Sequence, residues 1–112
     1  MKILIDACLP RRLKAELPGH SVFTVPEMGW AGKKNGELLA LMSGVFDVFM
    51  TADQNLQYQQ QIAQHTIAFI VLVAASNKLE SLTLLMPELL GIFPTIQPGT
   101  VTEIHPPHVT ES

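Results

Sequence analysis

The sequence predicts an α/β protein in which a mostly parallel sheet of about five strands is packed between helices on both faces. Short apolar runs of strand length alternate with helical patterns along the whole chain. Two of these runs, Lys2–Ile5 and Val45–Met50, are followed by polar groups, which is typical of parallel strands that lead into a site. Because 112 residues suffice for one core, residues 1–112 are expected to form a single domain.

The predicted elements alternate in a regular order. Pro10 and Pro18 bound the first helix, in which Leu9, Leu13 and Leu17 recur every four residues and are expected to face the sheet. The predicted strands cover residues 2–5, 20–25, 45–50, 67–73 and 100–104. The predicted helices cover residues 9–17, 36–43, 54–64 and 77–85, with a bend at Pro87 if the last one continues to Ile92. The tail 105–112 is expected to be frayed.

Polar residues are expected to cap two of the predicted helices. Asn35 is the expected N-cap of the second helix, with Glu37 in its first turn and Gly44 directly after its end. Asn77 is the expected N-cap of the last helix, because Glu80 three positions later completes a capping-box pattern.

Composition restricts the class of protein and its compartment. No apolar run approaches the roughly 20 residues of a membrane span, so no membrane contact is expected. The amino terminus does not resemble a signal peptide, and a cytoplasmic protein is therefore expected. The single cysteine, Cys8, excludes an internal disulfide and is expected to be a small buried thiol.

Charge is unevenly distributed along the chain. The net charge of −3 argues against a strongly electrostatic nucleic-acid binder. Residues 1–34 nevertheless hold six of the seven cations and only three acids. Arg11, Arg12, Lys33 and Lys34 could therefore meet a phosphate backbone locally, or they could simply form a solvated helix face and loop.

Asp6 and Asp53 are the first candidates for chemistry, since each follows a predicted buried strand. Parallel strands deliver both residues to the same edge of the sheet, where two carboxylates repel unless a cation lies between them. Mg²⁺ or Mn²⁺ takes oxygen ligands and could activate water against a phosphodiester. The alternative is that each Asp only caps the helix after it.

Four further residues have both a functional and a structural interpretation. Glu37 could complete a metal cluster or only complement the helix dipole. Asn35 and Asn55 could ligate a cation or orient water, although both also suit helix caps. Thr51 could bond to Asp53 or to a phosphate, or could be an ordinary strand residue.

Three motifs in order resemble those of the short PIN-like proteins, which are relatives of the VapC-type toxin ribonucleases. The first is Ile3–Pro10, of sequence ILIDACLP, followed by a Gly-His-x-Val turn at Gly19–Val22. The others are Asn35–Leu39, of sequence NGELL, and Thr51–Leu56, of sequence TADQNL. The resemblance covers roughly residues 1–75 by motif and the rest by element order.

The resemblance implies a three-layer α/β/α sandwich and a Mg²⁺- or Mn²⁺-dependent nuclease acting on single-stranded RNA. By position, Asp6 and Asp53 match family acidic residues, and Glu37 matches the acidic start of the second helix. The chain departs from the family pattern at four positions that are usually polar or acidic: Ala7, Cys8, Asn35 and Asn55. Fewer carboxylates imply weaker metal binding, since affinity for hard cations follows ligand charge.

Two hypotheses of function follow from these residues. The first is a metal-dependent ribonuclease, the toxin of a toxin–antitoxin pair, in which Asp6 and Asp53 hold the metal and Glu37 holds it or orients water. Asn55 would be a further metal ligand, and Thr51 and Asn35 would join the basic residues in binding substrate. The second is a PIN-like module without catalysis that binds protein or RNA.

A homodimer is compatible with either function. The predicted last helix carries more apolar residues than one face needs, so some could form a subunit contact, unless the helix is buried all round. These residues are Leu82, Leu84, Leu85, Met86, Leu89, Leu90, Ile92 and Phe93.

Overall fold

The computed structural model describes residues 1–54 and 66–106, and the strands of this part of the chain form one five-stranded sheet. The strands are β1 (Lys2–Ile5), β2 (Ser21–Thr24), β3 (Val48–Thr51), β4 (Ala68–Leu72) and β5 (Val101–Ile104). They lie in the order β2-β1-β3-β4-β5, and every neighbouring pair is parallel. The predicted α/β class is confirmed, and the described sheet is wholly parallel.

Short helices connect the strands. The α-helices of the described residues are α1 (Asn35–Met42), α2 (Leu79–Leu82) and α3 (Met86–Ile92). The 3₁₀ helices are Arg11–Glu16, Pro26–Met28, Thr83–Leu85 and Phe93–Thr95. The helix predicted over 54–64 lies almost entirely outside the described residues, as does most of the tail 105–112. None of the helices in ranges 1–54 and 66–106 has the length and apolar character needed to cross a membrane.

The first connection is a six-residue 3₁₀ helix rather than the predicted α-helix. Its backbone bonds span three residues, as in Leu13 N to Pro10 O and Leu17 N to Lys14 O. A four-residue strand is about 13 Å long. Six residues rise about 12 Å as a 3₁₀ helix but about 9 Å as an α-helix, so the tighter helix returns the chain to the start of the next strand. The three leucines at positions 9, 13 and 17 are buried as predicted.

Alternate strand residues face two core clusters on opposite sides of the sheet. Ile3, Ile5 and Met50 pack on the first face, under the first 3₁₀ helix and the α2–α3 segment. Leu4 and Phe49 pack on the second face, under α1. β3 and β4 are buried along their whole length, as expected for central strands covered on both faces.

Two connections lie on the first face but run in opposite directions across the sheet. The connection from β1 to β2 and the connection from β4 to β5 both contribute to the cluster on that face. In the strand order, β2 lies on one side of β1 and β5 lies on the opposite side of β4. Because the hand of a crossover depends on its face and its direction, these two connections have opposite hands, and one departs from the usual right-handed crossover.

Both predicted N-caps are wrong by one residue. Lys34 occupies the N-cap position of α1, and Lys78 occupies that of α2; neither makes a side-chain cap. Asn35 is therefore the first residue of its helix, and the Ser76 hydroxyl instead accepts the Lys78 backbone N–H at 3.2 Å. Both helices begin with an extended lysine backbone, so capping by a polar side chain is not what starts them.

The apolar segment near the end of the chain is not buried all round. Leu82, Leu85 and Leu89 are buried in the core, whereas Leu84 is 58 % exposed and Leu90 is also exposed. Exposed leucines of this kind are what the homodimer hypothesis requires, and the dimer itself stays a prediction.

Candidate functional site

The strand order places a topological switch point between β1 and β3, and open parallel sheets have their ligand-binding crevice at the carboxyl ends of such strands. From β1 the chain moves to β2 on one side, and from β2 it crosses to β3 on the other side. The connection that leaves β1 runs towards β2, and the connection that leaves β3 runs in the opposite direction, towards β4. Open parallel sheets bind ligands at the strand ends where two connections diverge in this way. Asp6 follows β1 directly, and Thr51 and Asp53 lie at the end of β3.

Thr51 joins the two strand ends through its hydroxyl group. It is fully buried, with 0 % exposure, and its Oγ1 donates a 2.6 Å hydrogen bond to Asp6 Oδ2. The same oxygen accepts the backbone N–H of Asp53 at 3.0 Å. A second bond links the strands, because the Asp6 N–H donates to Met50 O at 2.9 Å. One hydroxyl thus connects the two aspartates named by the sequence.

The Asp6 carboxylate is held from both of its oxygens. Ala7 N–H donates to Oδ1 at 2.7 Å, while Thr51 donates to Oδ2. The N-cap position of the following helix is taken by Pro10, so the alternative that Asp6 caps this helix is wrong. The helix predicted after Asp53 lies outside the described residues. Donors to an ionised carboxylate make strong hydrogen bonds, and they fix the orientation of this side chain.

Cys8 also belongs to this group of residues, and it is exposed rather than buried as expected. Its Sγ lies 3.6 Å from Asp6 Oδ2 and 3.7 Å from Thr51 Oγ1. Partial desolvation raises the pKa of the Cys8 thiol, and the negative charge of Asp6 adds to it, against opposing hydrogen bonds from the Ala52 backbone and from Thr51. The sulfur therefore carries its proton at neutral pH and acts as a weak donor to Asp6. The sequence feature that could have placed Cys8 in this group is its position two residues after Asp6.

Glu37 and Asn35 lie on the first turn of α1, in the segment that follows β2. Glu37 is exposed, and its position in the first turn agrees with the helix-dipole interpretation. In ranges 1–54 and 66–106, no three Asp, Glu, His or Cys side chains come together as ligands for one metal ion. Asn55, the further predicted ligand, lies outside the described residues.

The four candidate basic residues are all exposed. Arg11 and Arg12 begin the first 3₁₀ helix, and Lys33 and Lys34 precede α1. The ion pairs found among the described residues involve other side chains, namely Lys14 with Glu27 at 2.8 Å and His105 with Glu103 at 3.2 Å. The four cations are therefore available to a partner.

A local motif that the sequence analysis did not identify holds the loop after β2. Thr24 N–H donates to Glu27 Oε1 at 2.7 Å, and Glu27 N–H donates to Thr24 Oγ1 at 3.2 Å. These reciprocal bonds have the form of a capping box, and the Thr-x-x-Glu spacing could have revealed it. Lys14 adds an ion pair, and its ammonium group, with the Thr24 N–H, lowers the pKa of Glu27 below its ordinary value.

Two described cavities lie away from Asp6 and Asp53. One of about 260 Å³ is lined by Asp47, Thr66 and Ala68 among others, and one of about 330 Å³ by His20, Leu90 and Phe93 among others. Met1 lines both. They lie at the amino end of the strands, whereas Asp6 and Asp53 lie at the carboxyl end, so neither cavity belongs to the candidate site.

Fold and contacts together define the class of this protein: a parallel α/β protein with a carboxylate-bearing crevice at the point where its strand order reverses. No protein-family model matches the chain, and neither a curated protein nor a solved structure matches it. The site is therefore interpreted from its own residues.

Proposed function

We propose that this protein is a PIN-like ribonuclease that requires Mg²⁺ or Mn²⁺ and hydrolyses RNA phosphodiester bonds. The observation that carries the proposal is the Thr51 hydroxyl, which links Asp6 to the backbone of Asp53. It supports the proposal because a metal site of this kind needs carboxylates from two separate strands at one edge of the sheet.

The donor atoms fit a hard divalent cation. Asp6 and Asp53 offer carboxylate oxygens, and Mg²⁺ is often held by only one or two carboxylates together with water and substrate phosphates. An ionised carboxylate has about four lone-pair sites, and the Asp6 oxygens accept bonds from Ala7, Thr51 and the weak donor Cys8. Capacity for a cation therefore remains on Asp6.

Each residue has a distinct proposed role. Asp6 and Asp53 would hold the metal, which when bound would activate water and neutralise charge on the phosphate. Thr51 keeps the Asp6 carboxylate oriented through its 2.6 Å hydrogen bond. Glu37 would orient the attacking water, and Asn55 and Asn35 would provide further oxygen ligands or substrate contacts.

A second candidate function is a PIN-like module that binds RNA or protein without cleaving RNA. The observation that favours it is the replacement of family polar and acidic positions by Ala7, Cys8 and Asn55. In this hypothesis Asp6 and Asp53 keep their places at the edge of the sheet but bind the metal too weakly for turnover.

Calorimetric titration with Mn²⁺ tests the metal site. We expect the wild type to bind Mn²⁺ and Asp53→Asn to lose binding, because the substitution removes a charged ligand with little change in size. The matched control is Asp47→Asn at the opposite edge of the sheet, where an amide oxygen can still accept the Lys2 N–H. Absence of binding by the wild type, or equal binding by the Asp53 and Asp47 variants, would contradict the site.

RNA cleavage separates the two candidate functions. We expect single-stranded RNA to be cleaved with Mn²⁺ present, and we expect Asp6→Asn combined with Asp53→Asn to abolish cleavage. If the protein is a toxin, its expression should arrest growth, the same double variant should not, and co-expression of its antitoxin should restore growth. Cleavage and growth arrest that persist in the double variant would contradict the nuclease proposal.

A further inference from the structure

Exposed positive charge is concentrated on one side of the candidate site. The segments that leave β1 and β2 carry Arg11, Arg12, Lys33 and Lys34, all of them exposed. Beyond β3 the sequence contains neither Lys nor Arg from residue 52 to residue 77. Lys78, at the start of α2, is the one cation in the rest of the chain. The two sides of the crevice therefore differ strongly in charge.

Backbone hydrogen bonds fix the lysine-bearing loop close to the end of β1. Val25 N–H donates to Ile5 O at 2.9 Å, and Trp30 N–H donates to Val25 O at 3.1 Å. Lys33 N–H in turn donates to Trp30 O at 3.2 Å. Since Ile5 directly precedes Asp6, three consecutive bonds connect the backbone of Lys33 to the strand that bears the first carboxylate.

The arginines are tied to the same strand end. Leu9 N–H donates to Asp6 O at 3.1 Å, which folds the chain back directly after β1. Pro10 then fixes the start of the 3₁₀ helix in which Arg11 and Arg12 are the first two residues. Backbone hydrogen bonds thus connect the segments that carry both pairs of cations to the end of β1 that bears Asp6.

Nearby acids do not neutralise these four cations. Glu27 is the acid in the loop after β2, and it pairs with Lys14 at 2.8 Å and with the Thr24 N–H. Glu16 lies at the far end of the 3₁₀ helix, five residues beyond Arg11. Glu37, three residues after Lys34, is exposed and belongs to neither ion pair of the described residues. A polyanion that reaches Asp6 therefore meets four cations outside these ion pairs on the β1–β2 side and a single one, Lys78, on the other side.

From this asymmetry we infer that a single-stranded RNA lies across the β1–β2 side of the crevice, with its phosphates on Arg11, Arg12, Lys33 and Lys34. The inference rests on the proposed function for the identity of the polyanion. Phosphate contacts position a nucleic acid and make its affinity depend on salt, whereas a side with a single cation adds little such attraction. The part of the RNA that extends over the β3–β5 side is held by the candidate site itself and not by a row of cations.

The test measures binding without cleavage. A fluorescein-labelled 12-nucleotide single-stranded RNA is titrated with protein in EDTA, and anisotropy gives the affinity at several salt concentrations. For single strands, log affinity falls against log salt with a slope of about −0.7 per neutralised phosphate, so four contacts predict a slope of about −2.8. Arg11→Gln with Arg12→Gln, and separately Lys33→Gln with Lys34→Gln, should each reduce the steepness by about 1.4.

Lys78→Gln is the matched control, because Lys78 is also exposed and follows a neighbouring strand of the same sheet. It should leave the slope unchanged. An equal loss in Lys78→Gln, or a slope near zero in the wild type, overturns the inference. A 12-residue polyglutamate that binds as tightly as RNA, and loses binding in the same variants, also overturns it in favour of an acidic protein partner.

The outcomes also separate this inference from the proposed function. If RNA binding depends on the four cations but the protein does not cleave RNA with Mn²⁺, the inferred RNA-binding side is supported and the nuclease proposal fails. Cleavage that is unchanged when all four cations are replaced contradicts the inferred RNA-binding side while the nuclease proposal stands.

Discussion

At the scale of single residues, Thr51 is the residue whose hydrogen bonds connect the site. Its hydroxyl is buried, donates its single proton to Asp6 and accepts the backbone N–H of Asp53, so it both donates and accepts within the site. Thr51→Val removes the hydroxyl with little change in shape and leaves the Asp53 N–H without this acceptor. We expect it to lower the free energy of unfolding by about 1–3 kcal/mol. Urea denaturation measures the change.

Thr51→Ser is the matched variant, because it keeps the hydroxyl and loses one methyl group. It should cost only about 0.8 kcal/mol and should retain Mn²⁺ affinity, which Thr51→Val should weaken. Equal losses of stability and affinity in the two variants would show that the methyl group, and not the hydroxyl, matters at this position.

Cys8 gives a readout of charge at the site. Desolvation is the main cause of its raised pKa, and Asp6 adds to it, so the thiol reacts slowly near pH 8. Asp6→Asn removes the negative charge and should lower the pKa of Cys8. The pH profile of alkylation by iodoacetamide should then shift to lower pH, whereas Asp47→Asn should leave it unchanged. A profile unaffected by Asp6→Asn would show that the charge does not reach the sulfur.

Residue-level reasoning from the sequence identified Asp6, Thr51 and Asp53 because polar groups directly after buried strands are costly unless they have partners. It could not predict the bond between Thr51 and Asp6, which depends on the register that pairs Ile5 with Met50. It was wrong about Cys8, because burial of a thiol near a strand end depends on how the chain turns after Asp6.

At the scale of elements, the turn between α1 and β3 depends on Gly44. Ser43 has φ −63° and ψ 128°, Gly44 has φ 79°, and Val45 N–H donates to Met42 O at 3.0 Å, which is the geometry of a type II turn. Gly44→Ala should lower the free energy of unfolding by about 1–2 kcal/mol, because the left-handed backbone is strained for alanine. No atom crowds an added Cβ, so the cost is conformational.

Gly36→Ala is the control for this prediction. Gly36 lies in α1 at negative φ with nothing within 4 Å of an added Cβ. Alanine there should raise stability by roughly 0.4–1 kcal/mol through the entropy of the unfolded chain. Opposite signs in thermal unfolding are expected, and a loss of stability in both variants would contradict the turn assignment.

The capping-box contact of Glu27 should depend on pH. Its pKa in the folded protein lies below the ordinary value of 4.5, with the hydrogen bond from Lys14 as the largest cause. A depressed pKa stabilises the folded state above pH 4.5, and this contribution is lost as the pH falls through the lower folded-state pKa. Glu27→Gln keeps an acceptor for Thr24 but loses the ion pair.

The urea midpoints of wild type and Glu27→Gln should therefore differ at pH 7 and converge as the pH falls through the lowered pKa of Glu27. The difference at pH 7 should be small, since both side chains of the ion pair are about a third exposed. A gap that stays constant from pH 7 to pH 3 would mean that the charge of Glu27 is not involved.

Strands were predicted well from the sequence, and helix details were not. Ala68–Leu72 and Val48–Thr51 are rich in β-branched and aromatic residues, and each lies within or beside its predicted range. The type of the first helix depends instead on the distance that the chain must span, and the starts of α1 and α2 depend on backbone conformation at Lys34 and Lys78. Neither is encoded in a local pattern of residue types.

At the scale of the whole molecule, metal binding should change global stability. A ligand that binds only the folded state stabilises it by about 2.7 kcal/mol at a concentration 100 times its Kd. We therefore expect Mn²⁺ to raise the melting temperature of the wild type. Asp53→Asn should show no such increase, because it lacks one of the two proposed carboxylate ligands.

Buffer with EDTA and without added metal provides the reference state for these melting experiments, and Asp47→Asn provides the control for a general effect of charge. An equal increase with Mn²⁺ in all three proteins would indicate non-specific binding.

The whole-molecule class was predictable because the alternation of strand and helix patterns runs through the entire chain. The strand order was not, since the pattern of each strand is compatible with several neighbours.

The strand order also determines when the candidate site can form. β1 lies between β2 and β3, so the strand that carries Asp6 completes its hydrogen bonding only after β3 has been added. On the ribosome, Asp6 is translated 45 residues before Thr51, and the loop between them must close before the two side chains meet. A nascent chain that ends before residue 51 would have Asp6 but neither Thr51 nor Asp53, and therefore no candidate site. During synthesis, the candidate site therefore forms only after three of the five described strands have been translated.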